Sequence, residues 1–269
     1  MLSINYLDPD RALNGNMSLK IKIIVVAAHL TLIAWLWFDP NWSTFIWSVV
    51  GWIVFGKIGG EVGMHRYFSH RSFKTNKFWE WFMMITGSAN GLGSPLAWGA
   101  VHRQHHTHAD TVNDPHSPHN LGLLKTWLTL WGELPSMNSG QIKDFLKDRK
   151  QIWMHKNYFK FILVWILAFS LVGILMESWS PIMFFWAGSC VITFNIAGFV
   201  DGICHKYGYA PYEVKDHSKN NLWLNPLLLG SGLHNNHHGE PGNWNFGGRG
   251  RWYEIDTMSW FIRVIMAKK

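Results

Sequence analysis

A chain of 269 residues that is 48% hydrophobic, with 18 Trp and 17 Phe, carries more apolar surface than a soluble protein of that length can hide. Its two cysteines, Cys190 and Cys204, exclude a disulfide framework and form no CxxC pair, so a reducing, cytosol-facing setting fits. The net charge of +7 argues against a nucleic-acid role once its distribution is followed, because the basic residues avoid two long stretches altogether.

In chain order, Met1 to Asn16 has no apolar core and does not read as a cleaved signal peptide. No Lys or Arg lies between Lys22 and Lys57, or between Lys160 and Lys206. Each gap holds two apolar runs joined by a short turn, at 39–44 and 177–181. A span needs about 20 mostly apolar residues. Leu19 to Phe38, Phe45 to Gly63, Tyr158 to Met176 and Ile182 to Val200 supply four, arranged as two hairpins. The positive-inside rule puts both termini and the long polar segments on the cytoplasmic side of a multi-pass protein. Gly59 and Gly63 make a GxxxG spacing that suits helix packing; no strand context supports a dinucleotide loop.

Between the hairpins, Phe78 to Thr86 is aromatic but carries Glu80 and runs into glycines, so it reads as an interfacial or re-entrant helix. Gln141 to Lys156 reads as a polar connection, and Leu222 to Leu229, cut by Pro226, as a surface segment. With no repeat or low-complexity linker, residues 1–269 read as one all-α domain: four membrane helices under a cytoplasmic helical cap.

Fifteen histidines are present, and three groups fall just past apolar segments, where ionisable residues mark function. His65 and His70 stand in HRYFSH, His102, His105 and His106 in HRQHH, and His234, His237 and His238 in HNNHH. On an α-helix, residues i, i+3 and i+4 share a face, so each HxxHH group presents three imidazoles and can clasp one ion. The i, i+5 pair lies about 140° apart on an ideal helix, which assigns His65 and His70 to two different metals. Eight imidazoles exceed one coordination sphere and favour a dinuclear site; by ligand type alone Fe, Zn, Cu and Ni all remain open. His29, His155 and His217 read as ordinary satisfied histidines. His108, His116 and His119 read as hydrogen-bonding to Asp110 or Asp114 rather than to a metal.

These motifs resemble the membrane fatty acid desaturase family, particularly the branch with acyl-CoA desaturases and their bacterial relatives. The resemblance runs from about Gly51 to Phe261 and rests on MHRYFSHRSF (64–73), WGAVHRQHH (98–106), NDPHSP (113–118) and GLHNNHH (232–238). It implies two iron ions, O2 as co-substrate, a fatty acyl substrate, and an electron donor such as ferredoxin or a cytochrome. It also implies a ninth ligand at His205, and a bent acyl tunnel lined by Trp98, for which an interfacial anchor is the competing reading. Where the family carries an Asn that reaches a metal through water, this chain has Asp201; holding that water, capping the helix, or pairing with Lys206 are its possible roles. Ala100 and Val101 replace the Arg and Asp that meet CoA in animal members, leaving CoA-, carrier-protein- and lipid-linked chains open. The function implied is insertion of a cis double bond, near the chain's middle in this branch. A di-iron hydroxylase or ketolase uses the same histidines, and a histidine-rich metal transporter would place them near the membrane midplane.

Overall fold

The computed structural model describes residues 19–128, 139–247 and 250–266, so the N-terminal segment discussed above lies outside it. Helix α1 (Leu19–Phe38) matches the first apolar run end to end. After a three-residue turn, Asn41 accepts a hydrogen bond from the Thr44 amide at 2.9 Å and starts α2 (Trp42–Gly51), which continues without a break as a π-helix over Trp52–Ser69. Helices α3 (Lys77–Ala89) and α4 (Pro95–His108) follow, each capped at its start by a side chain, Asn76 and Ser94. Two short helices, α5 (Pro118–Leu121) and α6 (Leu123–Trp127), precede the long α7 (Arg149–Leu175), itself capped by Asp148. The last span is α8 (Ser180–Phe185) and α9 (Ala187–Ile203), broken at Trp186. Short α10 (Asn225–Leu228), α11 (His234–Gly239) and α12 (Thr257–Ile265) complete the cap. Among the described residues β pairing is limited to isolated bridges such as Tyr209 with Asn220.

Among the described residues four helices are long and apolar enough to cross a membrane: Leu19–Phe38, Trp42–Ser69, Arg149–Leu175 and Ser180–Ile203. Two bounds correct the sequence reading. The second span runs six residues beyond Gly63 and takes most of the first histidine group into the helix. The third begins at Arg149, so residues 149–156, read as part of a separate polar connection, are its first two turns. Large apolar side chains on α1 and α7, among them Leu30, Ile33, Leu163, Leu167 and Leu171, face outward. An unsatisfied apolar surface of that extent suits lipid.

Gly59 and Gly63 do mediate helix packing. A Cβ on Gly63 would stand 2.7 Å from the Met83 Cβ, and one on Gly59 would overlap the backbone of Gly87, so α3 lies directly on the π-helical segment. The face of α3 turned away exposes Phe78, Trp81 and Ile85. One core layer joins α3, α4, α12 and the π-helical segment through Val62, Met83, Leu96, Phe145 and Ile262. A second joins α1, α7, α8 and α9 through Val25, Ile162, Met183 and Phe194. The histidine-bearing helices meet at the cap end of these layers.

Candidate metal centre

The π-helical winding decides the geometry of the first group. With the His70 amide donating to the His65 carbonyl at 3.1 Å, residue i+5 stacks one turn above residue i. The two rings therefore lie 5.0 Å apart on the same face. They belong to one cluster, not to two metals as an α-helical register implies.

Nine histidines gather in two groups. His65, His70, His102, His106 and His237 place one ring nitrogen each within 4.8 Å of one another, and so do His105, His205, His234 and His238. Each HxxHH group is thus divided rather than acting as a unit. His102 and His106 turn to the first cluster while His105 turns to the second; His234 and His238 turn to the second while His237 turns to the first. In both groups the i and i+4 rings stay together and the i+3 ring reaches across. The clusters adjoin, with the His106 and His238 rings stacked at 4.3 Å.

The ring nitrogens fit a cation between them. Nε2 atoms approach at 2.9 Å (His65 and His237), 2.7 Å (His70 and His102), 2.8 Å (His106 and His237), 3.0 Å (His205 and His234) and 3.3 Å (His105 and His238). Two ligands each about 2.1 Å from one ion and at right angles to it stand about 3.0 Å apart. On four rings the other nitrogen faces a carboxylate, which fixes the proton on Nδ1 and turns the Nε2 lone pair inward. His65 Nδ1 meets Glu61 at 3.2 Å, His105 Nδ1 meets Asp114 at 2.9 Å, His205 Nδ1 meets Asp110 at 2.9 Å, and His238 Nδ1 meets Asp216 at 2.8 Å. Inward lone pairs at these separations repel unless a positive charge lies among them.

Protons are poor candidates for that charge. Burial, and then the neighbouring histidines, hold His70, His102, His105, His106, His234, His237 and His238 well below the usual imidazole range. His205 is the exception: burial opposes its charge, but the hydrogen bond and charge of Asp110 raise it. Neutral, inward-facing imidazoles are what a divalent transition metal takes.

The remaining sequence readings sort cleanly. Asp110 and Asp114 face the rings of His205 and His105, and of the three histidines read as their partners His116 donates its backbone amide to Asp114 at 3.0 Å. His119 Nε2 donates to the His205 carbonyl at 2.9 Å, and the His116 ring lies tilted against His105 at 4.3 Å. His29 bonds the Val25 carbonyl and His155 the capping Ser94, as satisfied histidines do. Trp98 stacks on His102 at 4.8 Å and sets its edge toward His65. Asp201 stands outside both clusters; its ion-pair partner among the described residues is His116, at 4.0 Å, rather than Lys206. Glu61 and Asp216 were not anticipated. Glu61 had a signal, an acid inside an apolar span four residues before a histidine; Asp216 had none.

Beneath the first cluster, Arg66 is fully buried against Asp256 at 2.6 Å, against Glu61 at 3.2 Å, and over the Phe246 ring at 3.7 Å. It ties the first histidine helix to the C-terminal segment.

Residues 40–268 match the family model described as fatty acid desaturase. The chain belongs to the fatty acid desaturase family. Among similar desaturase-family proteins, an sn-1 stearoyl-lipid 9-desaturase of Anabaena variabilis is 31% identical over 81% of this chain and 80% of its own. A hex-5-enoyl acyl-carrier-protein acetylenase of Moorena producens is 30% identical over 88% of this chain and 79% of its own. An acyl-CoA 5-desaturase of Anemone leveillei is 31% identical over 85% of this chain and 70% of its own. This desaturase is accordingly a membrane oxidoreductase with a site that suits metal.

Proposed function

We propose that this desaturase inserts a cis double bond, Δ9-type, into a fatty acyl chain at a di-iron centre. His65, His70, His102, His106 and His237 hold one iron, and His105, His205, His234 and His238 hold the other. The observation that carries this reading is the convergence of inward Nε2 atoms whose Nδ1 partners are carboxylates. An unactivated methylene has no acidic proton, so a side chain acting as acid or base alone cannot remove its hydrogens. Iron held by these histidines would supply the O2-dependent oxidising power needed to remove two hydrogens from adjacent carbons. The balance is one acyl CH2–CH2 unit, O2, two electrons and two protons giving CH=CH and two waters.

The chain's own residues bind, orient and exclude. Glu61, Asp110, Asp114 and Asp216 fix tautomer and ring direction. Trp98, flat on His102, is the wall against which the acyl chain lies, and so sets which carbon pair stands beside the metals. Asp201, beside His116, holds a water near the second cluster. The relatives' names cover lipid-, carrier-protein- and CoA-linked chains. With Ala100 and Val101 where animal members meet CoA, the lipid-linked form is the reading adopted, as in the Anabaena relative. The distribution of basic residues supports a cytoplasmic cap and termini, and the two electrons come from a separate protein such as ferredoxin or a cytochrome.

The test is the fatty-acid methyl-ester profile of cells expressing the wild type, His105→Ala or His237→Ala. A monoenoic species in the wild type alone is expected, and its fragmentation places the bond. A hydroxylated species in its place would move the assignment to the hydroxylase reading.

A further inference from the structure

An open cleft of about 650 Å³ lies on the cap, lined by Ser69, His70, Arg71, Arg103, Lys143, Asp144 and Lys147. Four of these residues are cationic and one is acidic. Of the nine clustered histidines only His70 and His106 are partly exposed rather than buried, and of these two only His70 lines the cleft. The cleft therefore opens from solvent onto one residue of the histidine clusters, His70.

Its floor is rigid. Arg103 donates to Asp144 at 2.6 and 2.8 Å, to the Ser69 carbonyl at 2.8 Å and to the Gln141 carbonyl at 2.7 Å, and it lies over Phe145 at 4.2 Å. Asp144 also pairs with Arg71 at 2.7 Å, and Arg71 sits at φ 53°, a backbone region an L side chain adopts only when held. One clamp thus ties the end of the first histidine helix to α4, between His102 and His105. Lys143 and Lys147, one helical turn apart in sequence, stand exposed on the rim.

We infer that this cleft is the docking site of an acidic one-electron donor protein and that electrons pass to the metals through the edge of His70. The inference rests on the desaturase reading, in which two electrons arrive from outside for each double bond. A small ligand is ordinarily held in an enclosed pocket that buries most of its surface. A wide, open, basic cleft over a rigid floor instead suits the small, charge-steered contacts of electron-transfer partners. Asp144 neutralises part of the Arg71 and Arg103 charge, so Lys143 and Lys147 carry the steering.

The test uses the full-length enzyme in liposomes with an acidic 2Fe–2S ferredoxin as probe, and compares the wild type with the double variant Lys143→Glu and Lys147→Glu. The expected result is a rise of about tenfold in KM for the ferredoxin. The wild type's dependence on salt should be lost in the variant. KM for the acyl substrate and kcat at saturating ferredoxin stay unchanged. Carbodiimide coupling of ferredoxin carboxylates should map to Lys143 and Lys147. A raised KM for the acyl substrate with an unchanged ferredoxin KM would make the cleft a head-group site and overturn the inference, as would cross-links that map elsewhere. Because coupling needs no turnover, wild type that couples at these lysines yet forms no unsaturated product would sink the desaturase reading and leave the docking cleft standing.

Discussion

His65 and His70 face one another across 5.0 Å because the helix that carries them is π-wound, so five residues make close to one turn. That register puts both rings of the first histidine group into one cluster. Glu61 supports it by accepting from His65 Nδ1 at 3.2 Å while Arg66 donates to the same carboxylate oxygen. Glu61→Gln keeps the shape and removes the charge. We expect about 10–100-fold weaker metal retention, read as iron per chain after dialysis against a chelator, with the helical circular dichroism unchanged. Wild-type iron content would mean that Glu61 does not orient His65.

The second cluster makes a parallel case with a different topology. Asp114 is buried and bonded to His105, whereas Asp216 reaches His238 from a loop twenty-two residues away. Asp114→Asn and Asp216→Asn should each weaken one metal while leaving the other in place. The expected outcome is purified protein that settles near one tightly held iron per chain under mild chelation. Loss of both ions together would show that the two clusters are not separable.

The apolar spans and the three histidine groups were legible in the sequence, because charge gaps and short spacings are local; the pairing of the first two spans as a hairpin was not borne out, since α1 packs chiefly on α9 rather than on α2. The division of each HxxHH group was not. Which cluster His105 or His237 joins depends on where the opposite helix lies, and His105 meets His238 across 133 residues. The register of His65 and His70 failed because α-helical spacing is the default, whereas this stretch is π-wound. Carboxylate partners divide in the same way, Glu61 being four residues from its histidine and Asp216 visible only once the cap is folded.

Glycine packing gives a prediction about stability. A Cβ at Gly59 would overlap the Gly87 backbone, which cannot move aside as a flexible side-chain tip can. Gly59→Ala should destabilise by about 1–3 kcal/mol through overpacking. Gly242→Ala, where nothing stands within 4 Å of the new atom, is the control. Thermal unfolding followed by tryptophan fluorescence compares them; equal midpoints would mean that α3 does not bear on the π-helical segment as described.

Arg66 and Asp256 form a pair with both side chains fully buried. Removing one partner leaves an uncompensated charge, which costs about 3–5 kcal/mol, whereas replacing both with apolar groups of similar size is often neutral. Arg66→Met should therefore express poorly, and Asp256→Leu added to it should restore much of the folded yield. A double variant no better than the single one would assign Arg66 a role beyond charge balance.

Acid should act on the metal-free chain first, and the sign follows from the histidines. Seven of the cluster histidines sit well below the usual imidazole value of 6.5, burial being the main cause, while His205 alone is raised. Below 6.5 the unfolded chain takes up protons at those seven positions that the folded chain refuses. The unfolded state then binds more protons, and stability falls as pH falls. His205 works the other way, adding stability below its raised value and losing it as pH climbs through, but one group does not offset seven. The metal-free protein should therefore lose thermal midpoint steadily from about pH 6.5 to 5. The iron-loaded protein should hold its midpoint further into the acid range, because bound metal competes with protons for the same nitrogens. Differential scanning fluorimetry of both forms across that range checks it, and matching curves for the two forms would show that the clustered imidazoles are not where metal and protons compete.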